Sequence, residues 1–363
     1  NKRIKFIMAY TTINKSTDYF NPIKYTGNAS SSRDITGVGF QPDFTWIKDR
    51  DGGYSHILSN AVSGNNKFLT SSATSAESTD STKFRTFVSD GFQVGNHNGV
   101  NANSNDYASW NWKAGGAVSG NTTGSGTSKA YTGSINGTSG FSIIRYQGNG
   151  TSGHTIPHRL SAIPSMIIVK RLSAANNWSV YHKDAFTSQA APGVLYLNTT
   201  AAKSNDTNVW GTSSVTINST VFSVGDYSGT NANNSYYIAY VFAEKQGYNK
   251  FGSYVGNGNV NGTFVYTGFK PAFVLAKKTN EANTAWIMLD NKRANSFNPI
   301  GVRLFANLDA AESTSSPYCD FLSNGFKFRT TDNNSNDAND TYIYMSFAEA
   351  PLVGTNNVPA NAR

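Results

Sequence analysis

Residues 39–48 read GFQPDFTWIK, and this stretch decides the fold because it recurs twice along the chain. The second copy ends in IPSMIIVK at residues 163–170, and the third reads GFKPAFVLAK at residues 268–277. In every copy a proline precedes an apolar run, which a lysine closes six positions after the proline. Proline has no N–H for a strand ladder, so it fits the first position of a strand. The pattern predicts a strand that is buried on both faces in each of three internal repeats.

Other markers recur in the same order within each copy. A leucine is followed nine residues later by a serine, at Leu69, Leu195 and Leu304. An aromatic residue after a polar turn is predicted to begin the return strand of a hairpin, at Tyr54, Trp178 and Trp286. Each copy closes with a strand whose alternate side chains are large and apolar, at residues 107–112, 237–242 and 342–347. Alternate residues of a strand share one face, so this face is predicted to point into a core.

These markers predict an all-β chain of three tandem β-sandwich units, of jelly-roll or concanavalin-like type. The predicted divisions are an N-terminal arm (1–24), repeat 1 (25–116), a Gly/Ser/Thr-rich linker (117–140), repeat 2 (141–247), repeat 3 (248–350) and a C-terminal tail (351–363). The linker is expected to contain one short strand around Lys129 to Thr132. A propeller is the rival architecture, but its blades run to about 40–50 residues, half the spacing observed.

Composition narrows the function classes. The chain has 363 residues, of which 13% are aromatic and 14% charged, and its net charge of +8 is scattered instead of clustered. A scattered charge predicts no nucleic-acid binding, and no apolar stretch is long enough to span a membrane. The apolar run within residues 4–9 is too short for a signal peptide. The single cysteine, Cys319, is predicted to be a buried and inert thiol.

Two patterns resemble metal sites, and neither meets the requirements of one. His154 and His158 have ligand-like spacing, but Pro157 separates them and no acidic residue lies nearby, so we expect turn or surface histidines. Oxygen-bearing side chains at Asp332, Asn334, Asn336 and Asp340 imitate a calcium loop. That loop requires glycine at its sixth position and glutamate at its twelfth, where this chain has Asp337 and Ile343. No metal, cofactor or catalytic residue is predicted.

Two sets of residues are candidates for ligand contact. The repeated lysines Lys48, Lys170 and Lys277 would form an anion-binding ring, or would simply end a strand at a sheet edge, which we favour. Trp178 and Trp286 recur between copies and are predicted to pack in a core, whereas Trp210 lies in a polar loop. The predicted glycan contacts are Trp210, Tyr227, Asn231 and Asn233.

The combination of motifs resembles a family of marine phage virion structural proteins described as tail-fibre-like or concanavalin/laminin-G-like. The resemblance rests on MAYTTINKSTDYF at residues 8–20, the Gly-Phe-x-Pro-x-Phe runs, YASWNWKAGG at 107–116 and LVGTNN at 352–357. It covers nearly the whole chain from Met8 onward. The family supplies no catalytic or binding motif that could be assigned to residues of this chain. The second repeat departs from the pattern, with Ala162 and Ile163 before its proline.

The resemblance implies a non-enzymatic virion component, assembled in the host cytoplasm, that acts in particle assembly and host-surface adhesion as a tail fibre or a capsid decoration. Its expected partners are other virion proteins and host surface glycans, without nucleic acid or membrane insertion, and a homo-oligomer is expected. One alternative is a carbohydrate-binding module, which requires an exposed aromatic platform beside convergent polar groups. A second is a polysaccharide depolymerase, which requires paired carboxylates across a cleft.

Overall fold

The computed structural model describes residues 10–186, 192–211, 215–293 and 298–353. These residues form strands and a few single-turn helices, which confirms the predicted all-β fold. No helix in the described ranges is long and apolar enough to cross a membrane. Parts of the predicted N-terminal arm and C-terminal tail, and the motif residues Met8, Ala9 and 354–357, lie outside the described residues.

The strands before residue 113 are β1 (Phe20–Thr26), β2 (Arg33–Ile35), β3 (Phe44–Asp49), β4 (Ile57–Asn60), β5 (Lys67–Phe68), β6 (Ser78–Thr79), β7 (Phe84–Val88), β8 (Gly91–Val94) and β9 (Asp106–Trp112). The next are β10 (Gly116–Asn121), β11 (Thr123–Gly124), β12 (Ala130–Asn136), β13 (Phe141–Gln147), β14 (His154–Pro157), β15 (Met166–Arg171), β16 (Ser179–His182), β17 (Leu195–Tyr196), β18 (Val221–Val224) and β19 (Tyr236–Phe242). The last are β20 (Asn249–Val255), β21 (Phe264–Tyr266), β22 (Phe269–Lys278), β23 (Ile287–Asp290), β24 (Ile300–Phe305), β25 (Ser313–Leu322), β26 (Gly325–Phe328) and β27 (Thr341–Pro351). The helices are α1 (Asn98–Asn101), α2 (Ser228–Asn231) and two 3-10 turns (Ser16–Asp18 and Thr207–Val209).

One antiparallel strand order occurs three times. It is β1-β9-β3-β4 in a four-stranded sheet, β13-β19-β15-β16 within a seven-stranded sheet and β20-β27-β22-β23 within an eight-stranded sheet. We call these the inner sheets. Residues 20–24, predicted as part of the N-terminal arm, belong to β1 and are counted with repeat 1 from here on. The strands β3, β15 and β22 are the three copies of the proline-to-lysine stretch, and each lies beside the closing strand of its repeat. All six residues of β3 are buried, which confirms the prediction of a doubly buried strand.

The three inner sheets face one shared core. A single cluster of buried side chains draws on all three repeats, including the alternate apolar side chains predicted for the closing strands. Ring centroids lie 4.3 Å apart for Phe44 and Tyr240, 4.7 Å apart for Phe20 and Phe347, and 6.0 Å apart for Phe242 and Phe347. Aromatic contact therefore joins every pair of repeats directly.

The opposite face of each inner sheet covers a second core. Separate buried clusters lie beneath the outer strands β2, β7 and β8, beneath β14 and β18, and beneath β21, β25 and β26. Cys319 lies in the third of these clusters and is fully buried, as predicted. Burial raises the pKa of its thiol, which therefore stays protonated and unreactive.

A loop from each repeat docks on the next, and the third repeat docks on the first. The indole Nε1 of Trp178 donates to the carbonyl oxygen of Thr70 (2.9 Å), and that of Trp286 donates to the carbonyl oxygen of Tyr196 (3.0 Å). The equivalent side chain in repeat 1 is His56, whose Nε2 lies 3.0 Å from the carbonyl oxygen of Phe305. Each accepting residue directly follows the repeated leucine. The Leu-to-Ser segments are thus the docking loops.

Backbone hydrogen bonds close the same ring of three repeats. The amide of Glu77 donates to Leu172 (3.0 Å), that of Lys203 to Thr279 (2.9 Å) and that of Glu312 to Arg50 (2.7 Å). The side chains of Arg50 and Glu312 add an ion pair of 2.7 Å between the third repeat and the first. Repeat 1 therefore contacts both of the others, and the described residues form a closed, pseudo-threefold ring.

The assignment of Tyr54 to the start of the return strand was wrong. Ile57, Ser179 and Ile287 pair with equivalent positions of β3, β15 and β22, which places His56 in register with Trp178 and Trp286. Histidine takes this position because it presents the same ring N–H at the same place. A comparison restricted to aromatic residues misses that equivalence.

The stretch predicted as a linker is β-structure instead. β10 pairs with β12, and β12 pairs with β13, so residues 116–136 extend the inner sheet of repeat 2. Tyr131 is buried, and Val118 packs partly against the core of the same repeat. Edge strands need only one apolar side chain every few residues, so a Gly/Ser/Thr-rich composition conceals them.

Candidate functional site

Trp210, the leading candidate for glycan contact, is fully buried. Its Nε1 donates to the carbonyl oxygen of Gly193 (3.0 Å), and its ring meets Tyr181 edge-on at 6.0 Å. Neither ring face is open to a sugar, so this assignment was wrong. The polar residues around Trp210 in the sequence cover an indole that packs inward.

Asn231 is likewise buried and holds a turn together. Its amide donates to the carbonyl oxygens of Thr151 (2.9 Å) and Gly225 (2.6 Å), and its Oδ1 accepts from the amide of Asn149 (2.9 Å). The same clamp is built around Asn101 and Asn336 in the other repeats.

The remaining two predicted contacts lie nearer the surface. Tyr227 is half-buried and its hydroxyl donates to Oδ1 of Asn176 (3.0 Å), whereas Asn233 is exposed. Because two of the four side chains are inaccessible, the structure does not assemble the predicted glycan site.

The three repeated lysines stand next to the last residues of β3, β15 and β22, as expected of strand-end lysines, but they are buried in inner strands and do not cover a sheet edge. The Nζ of Lys170 donates to the carbonyl oxygens of Thr74 and Asn176, both at 2.9 Å, and Thr74 belongs to the docking loop of repeat 1. Lys277 reaches the carbonyl oxygen of Thr284 (2.8 Å), and Lys48 that of Asp49 (2.6 Å). Burial lowers the pKa of Lys170 to about 8. With their ammonium groups bound to carbonyls inside the protein, these lysines cannot form an anion-binding ring.

Glu281, Asp337 and Asp340 place carboxylate oxygens close enough together to hold a metal ion. The ammonium of Lys278 occupies that position. Its Nζ lies 2.8 Å from Glu281 and 3.3 Å from Asp337, and it also contacts Asp340. Burial lowers the pKa of Lys278, but the carboxylates more than offset this and raise it. This cluster is therefore an ion-pair network around a buried lysine, and it includes Asp340 of the calcium-like pattern.

His154 and His158 are buried, which corrects the expectation of turn or surface histidines. The Nδ1 of His154 lies 2.7 Å from the side-chain amide of Asn149, and the Nε2 of His158 lies 3.0 Å from the carbonyl oxygen of Asn218. Each ring is thus held by its own backbone or amide partner, and the pair serves packing.

Two surface clefts contain a carboxylate among their described lining residues, and the larger of these, about 740 Å³, lies between β12 and the end of repeat 1. Among its described lining residues the only acidic one is Asp43, which accepts hydrogen bonds from Ser134 Oγ (2.9 Å) and from the amide of Ala114 (2.9 Å). These bonds tie β12 to repeat 1. The carboxylate is therefore a structural group, and none of the described residues that line this cleft is aromatic.

The smaller cleft, about 490 Å³, lies where the chain passes from repeat 2 to repeat 3. We call it the tyrosine cleft, because Tyr10 and Tyr266 line it together with Glu244, Gln246 and Lys250. The hydroxyl of Tyr10 donates to the carbonyl oxygen of Gly268 (2.8 Å). Burial, together with the neighbouring hydroxyl of Tyr266, raises the pKa of Tyr10 to about 12. Tyr10 is therefore a neutral hydrogen-bonding group beside an open cleft.

The carboxylate in this cleft is ionised. Glu244 pairs with Lys183 (2.8 Å) and Lys250 (3.4 Å) and accepts from the amide of Phe251 (3.0 Å). Burial raises its pKa, but the bond from Lys183 and the other donors together lower it below the usual range. Hydrolysis by two carboxylates needs a proton donor and a second carboxylate across the cleft. Each of the two clefts has a single carboxylate among its described lining residues.

Sequence reasoning missed the tyrosine cleft, since its walls come from residues 10, 244–250 and 266–268, which only the ring brings together. No curated protein matches the chain. A family model described as "Domain of unknown function (DUF7483)" matches residues 15–351. This match spans every inner and outer sheet described above, and the chain therefore belongs to that family.

Proposed function

We propose that this protein is a non-enzymatic structural component of a phage particle, a tail fibre or capsid decoration that acts in assembly and host-surface adhesion. The proposal combines the sequence resemblance to virion proteins with one structural observation, the closed ring of three repeats. Each repeat would be a two-layered sandwich unit, with its inner sheet turned toward the shared core and its outer sheet toward solvent.

The ring supports a structural role because it makes one chain equivalent to a closed trimer. Head-to-tail interfaces normally join separate copies until a rotation closes them. In this chain the equivalent contacts join the repeats to one another, for example Trp178 to Thr70 and Glu312 to Arg50. All three interfaces between repeats are therefore formed within one chain. The result is a rigid, cysteine-independent block whose loops and outer sheets are free to contact other virion proteins.

The carbohydrate-binding alternative is favoured by a specific feature, the tyrosine cleft with its polar lining. It is compatible with an adhesive virion component, and the ligand class is developed in the next subsection. A depolymerase has less support, because each cleft offers one ion-paired or hydrogen-bonded carboxylate.

The test is to locate the chain in particles. Phage particles from cells that express this chain would be purified on a density gradient and analysed by mass spectrometry. They would then be labelled with a gold-conjugated antibody raised against the recombinant chain. We expect the chain to co-sediment with particles and to be labelled at a fixed place on the tail or head. A chain found only in the soluble lysate, with unlabelled particles, would contradict the proposal.

A further inference from the structure

The three repeats place different side chains at one equivalent surface position. Ile35 of β2, Ile156 of β14 and Val265 of β21 are buried, and each pairs with the phenylalanine of the neighbouring outer strand. The residues on either side of them are therefore in register across the ring. The three repeats can therefore be compared residue by residue at these positions.

Only repeat 3 carries aromatic residues at these flanking positions. Repeat 1 has Asp34 and Thr36, and repeat 2 has Thr155 and Pro157. Repeat 3 has Phe264 and Tyr266, whose side chains are 45% and 54% exposed. Since two repeats form the same sheet without aromatic residues here, the fold does not require them. Exposed aromatic side chains that serve no packing role indicate contact with a ligand or partner.

The two aromatic side chains share one face of β21. Residues two apart on a strand project to the same side, about 6–7 Å from one another. Tyr266 also borders the tyrosine cleft, where the hydroxyls of Tyr10 and Tyr266 lie near Gly268. A track of exposed rings thus runs from Phe264 through Tyr266 into a polar cleft.

The polar groups of the cleft offer both donors and acceptors. The carboxylate of Glu244 is ionised and accepts hydrogen bonds, while the ammonium of Lys250 is 38% exposed and donates them. Gln246 is exposed, and its side-chain amide adds both an N–H donor and a carbonyl acceptor. Glu244 and its two lysine partners together leave one positive charge beside the cleft, which is too little for a strong field. A ligand with many hydroxyls and apolar ring faces matches this lining best.

We propose that repeat 3 binds a linear polysaccharide of pyranose units, stacked on Phe264 and Tyr266 and hydrogen-bonded in the tyrosine cleft. This inference rests on the proposed adhesive function and names the class of its ligand. A protein strand added to the free edge of β21 is the competing occupant, but it would need main-chain pairing and would not use Glu244, Gln246 and Lys250.

The test measures binding with the full chain and three variants. Purified protein is run in native gels that contain dextran, laminarin or alginate, and is also applied to an array of bacterial surface polysaccharides. We expect retardation or array signal with at least one neutral polysaccharide, and a loss of affinity of about tenfold for Tyr266→Ala and for Phe264→Ala. Tyr236→Ala is the matched control, since Tyr236 is 41% exposed on β19 in repeat 2, and its affinity should be unchanged.

Thermal unfolding of each variant shows whether it is folded, and the substituted side chains are exposed enough that no loss is expected. No signal with any polysaccharide, or an equal loss in Tyr236→Ala, overturns the inference. Phe264→Ala chains that fail to join particles, without any polysaccharide binding by the native chain, would assign the surface to a protein partner and also overturn it. Labelled particles without polysaccharide binding would leave the proposed function standing, whereas polysaccharide binding by a chain absent from particles would remove that function alone.

Discussion

At the scale of single residues, three buried histidines share one arrangement. The Nε2 of His56, His158 and His182 each lies within hydrogen-bonding distance of a carbonyl oxygen. The Nδ1 of each accepts from an N–H, that of Trp46, Leu160 and Asp184 respectively. Only the neutral ring, protonated at Nε2, satisfies both bonds, because protonation at Nδ1 would remove the acceptor. Burial is also the main reason that the pKa of His56 falls to about 3 and that of His182 to about 4.

Acid should therefore destabilise the protein before its carboxylates titrate. Between pH 6.5 and about 4 the unfolded chain binds protons that the folded chain excludes, so the free energy of unfolding falls as the pH is lowered. Each such histidine contributes a slope of about 1.4 kcal/mol per pH unit in that window. Urea titrations at several pH values measure it, and His182→Asn should reduce the slope by one histidine's share. A flat profile from pH 7 to 5 would contradict this account.

The buried lysines lead to a second prediction. Lys170→Met keeps the length of the side chain but removes the donor to the carbonyl oxygens of Thr74 and Asn176. The carbonyl oxygen of Thr74 still accepts from the amide of Asn176 (2.8 Å), so only that of Asn176 loses its donor. An unsatisfied buried group costs about 1–3 kcal/mol, so we expect the free energy of unfolding to fall by about that amount. Lys24→Met, at an exposed position of β1, is the control and should change stability little. Equal losses for the two variants would mean that the carbonyl contacts are unimportant.

At the scale of elements, the docking loops hold the ring together through ring N–H groups. Trp286 and Trp112 are both buried in the shared core, but only Trp286 has a partner for its Nε1, the carbonyl oxygen of Tyr196. The Nε1 of Trp112 has no hydrogen-bond partner among the described residues. The two tryptophans therefore have the same side-chain volume, but only Trp286 donates a hydrogen bond from its indole.

We expect Trp286→Phe to lower the free energy of unfolding by about 0.5–1.5 kcal/mol more than Trp112→Phe does, since only the former removes a hydrogen bond. The carbonyl oxygen of Tyr196 keeps its bonds from the amide and the hydroxyl of Thr199. Both substitutions remove a similar volume from the core, which cancels in the comparison. Chemical denaturation of the two variants measures the difference. A larger loss for Trp112→Phe would show that packing, and not the loop contact, dominates at these positions.

The same elements show what the sequence could predict. The repeat markers placed β3, β15 and β22 and the closing strands β9, β19 and β27 correctly, because burial on both faces leaves an unbroken apolar run. The spacing from leucine to serine was recognised but not explained, since its hydrogen-bond partners lie in the next repeat. His56, Trp210 and the edge strand β10 were misjudged, because a hydrogen-bond role, inward packing and edge position do not follow from local composition. The tyrosine cleft could not be predicted at all, as its walls come together only in the ring.

At the scale of the whole molecule, the shared aromatic core makes the three repeats one unit of folding. Side chains of all three repeats form the same cluster, and Phe347 alone contacts Phe20 of repeat 1 and Phe242 of repeat 2. A repeat separated from the other two would expose the side chains that it contributes to this shared core. Stability should therefore be a property of the ring and not of its parts.

Two measurements on the purified chain test this. Light scattering after size exclusion should give a mass near 39.1 kDa, because the head-to-tail interfaces are already used within one chain; the homo-oligomer expected from the sequence would then need a further surface. Calorimetry should give one transition whose calorimetric and van't Hoff enthalpies agree. A stable trimer, or three resolved transitions, would contradict the closed ring.

The covalent joining of the three repeats also determines valency. In a homotrimer every substitution appears three times, so a sugar-stacking tyrosine would be present on each subunit. In this chain Phe264 and Tyr266 occur in one repeat, while Asp34 and Thr155 hold the equivalent positions elsewhere. One ring would then engage one polysaccharide strand, and avidity would depend on how many rings a particle displays and how they are spaced.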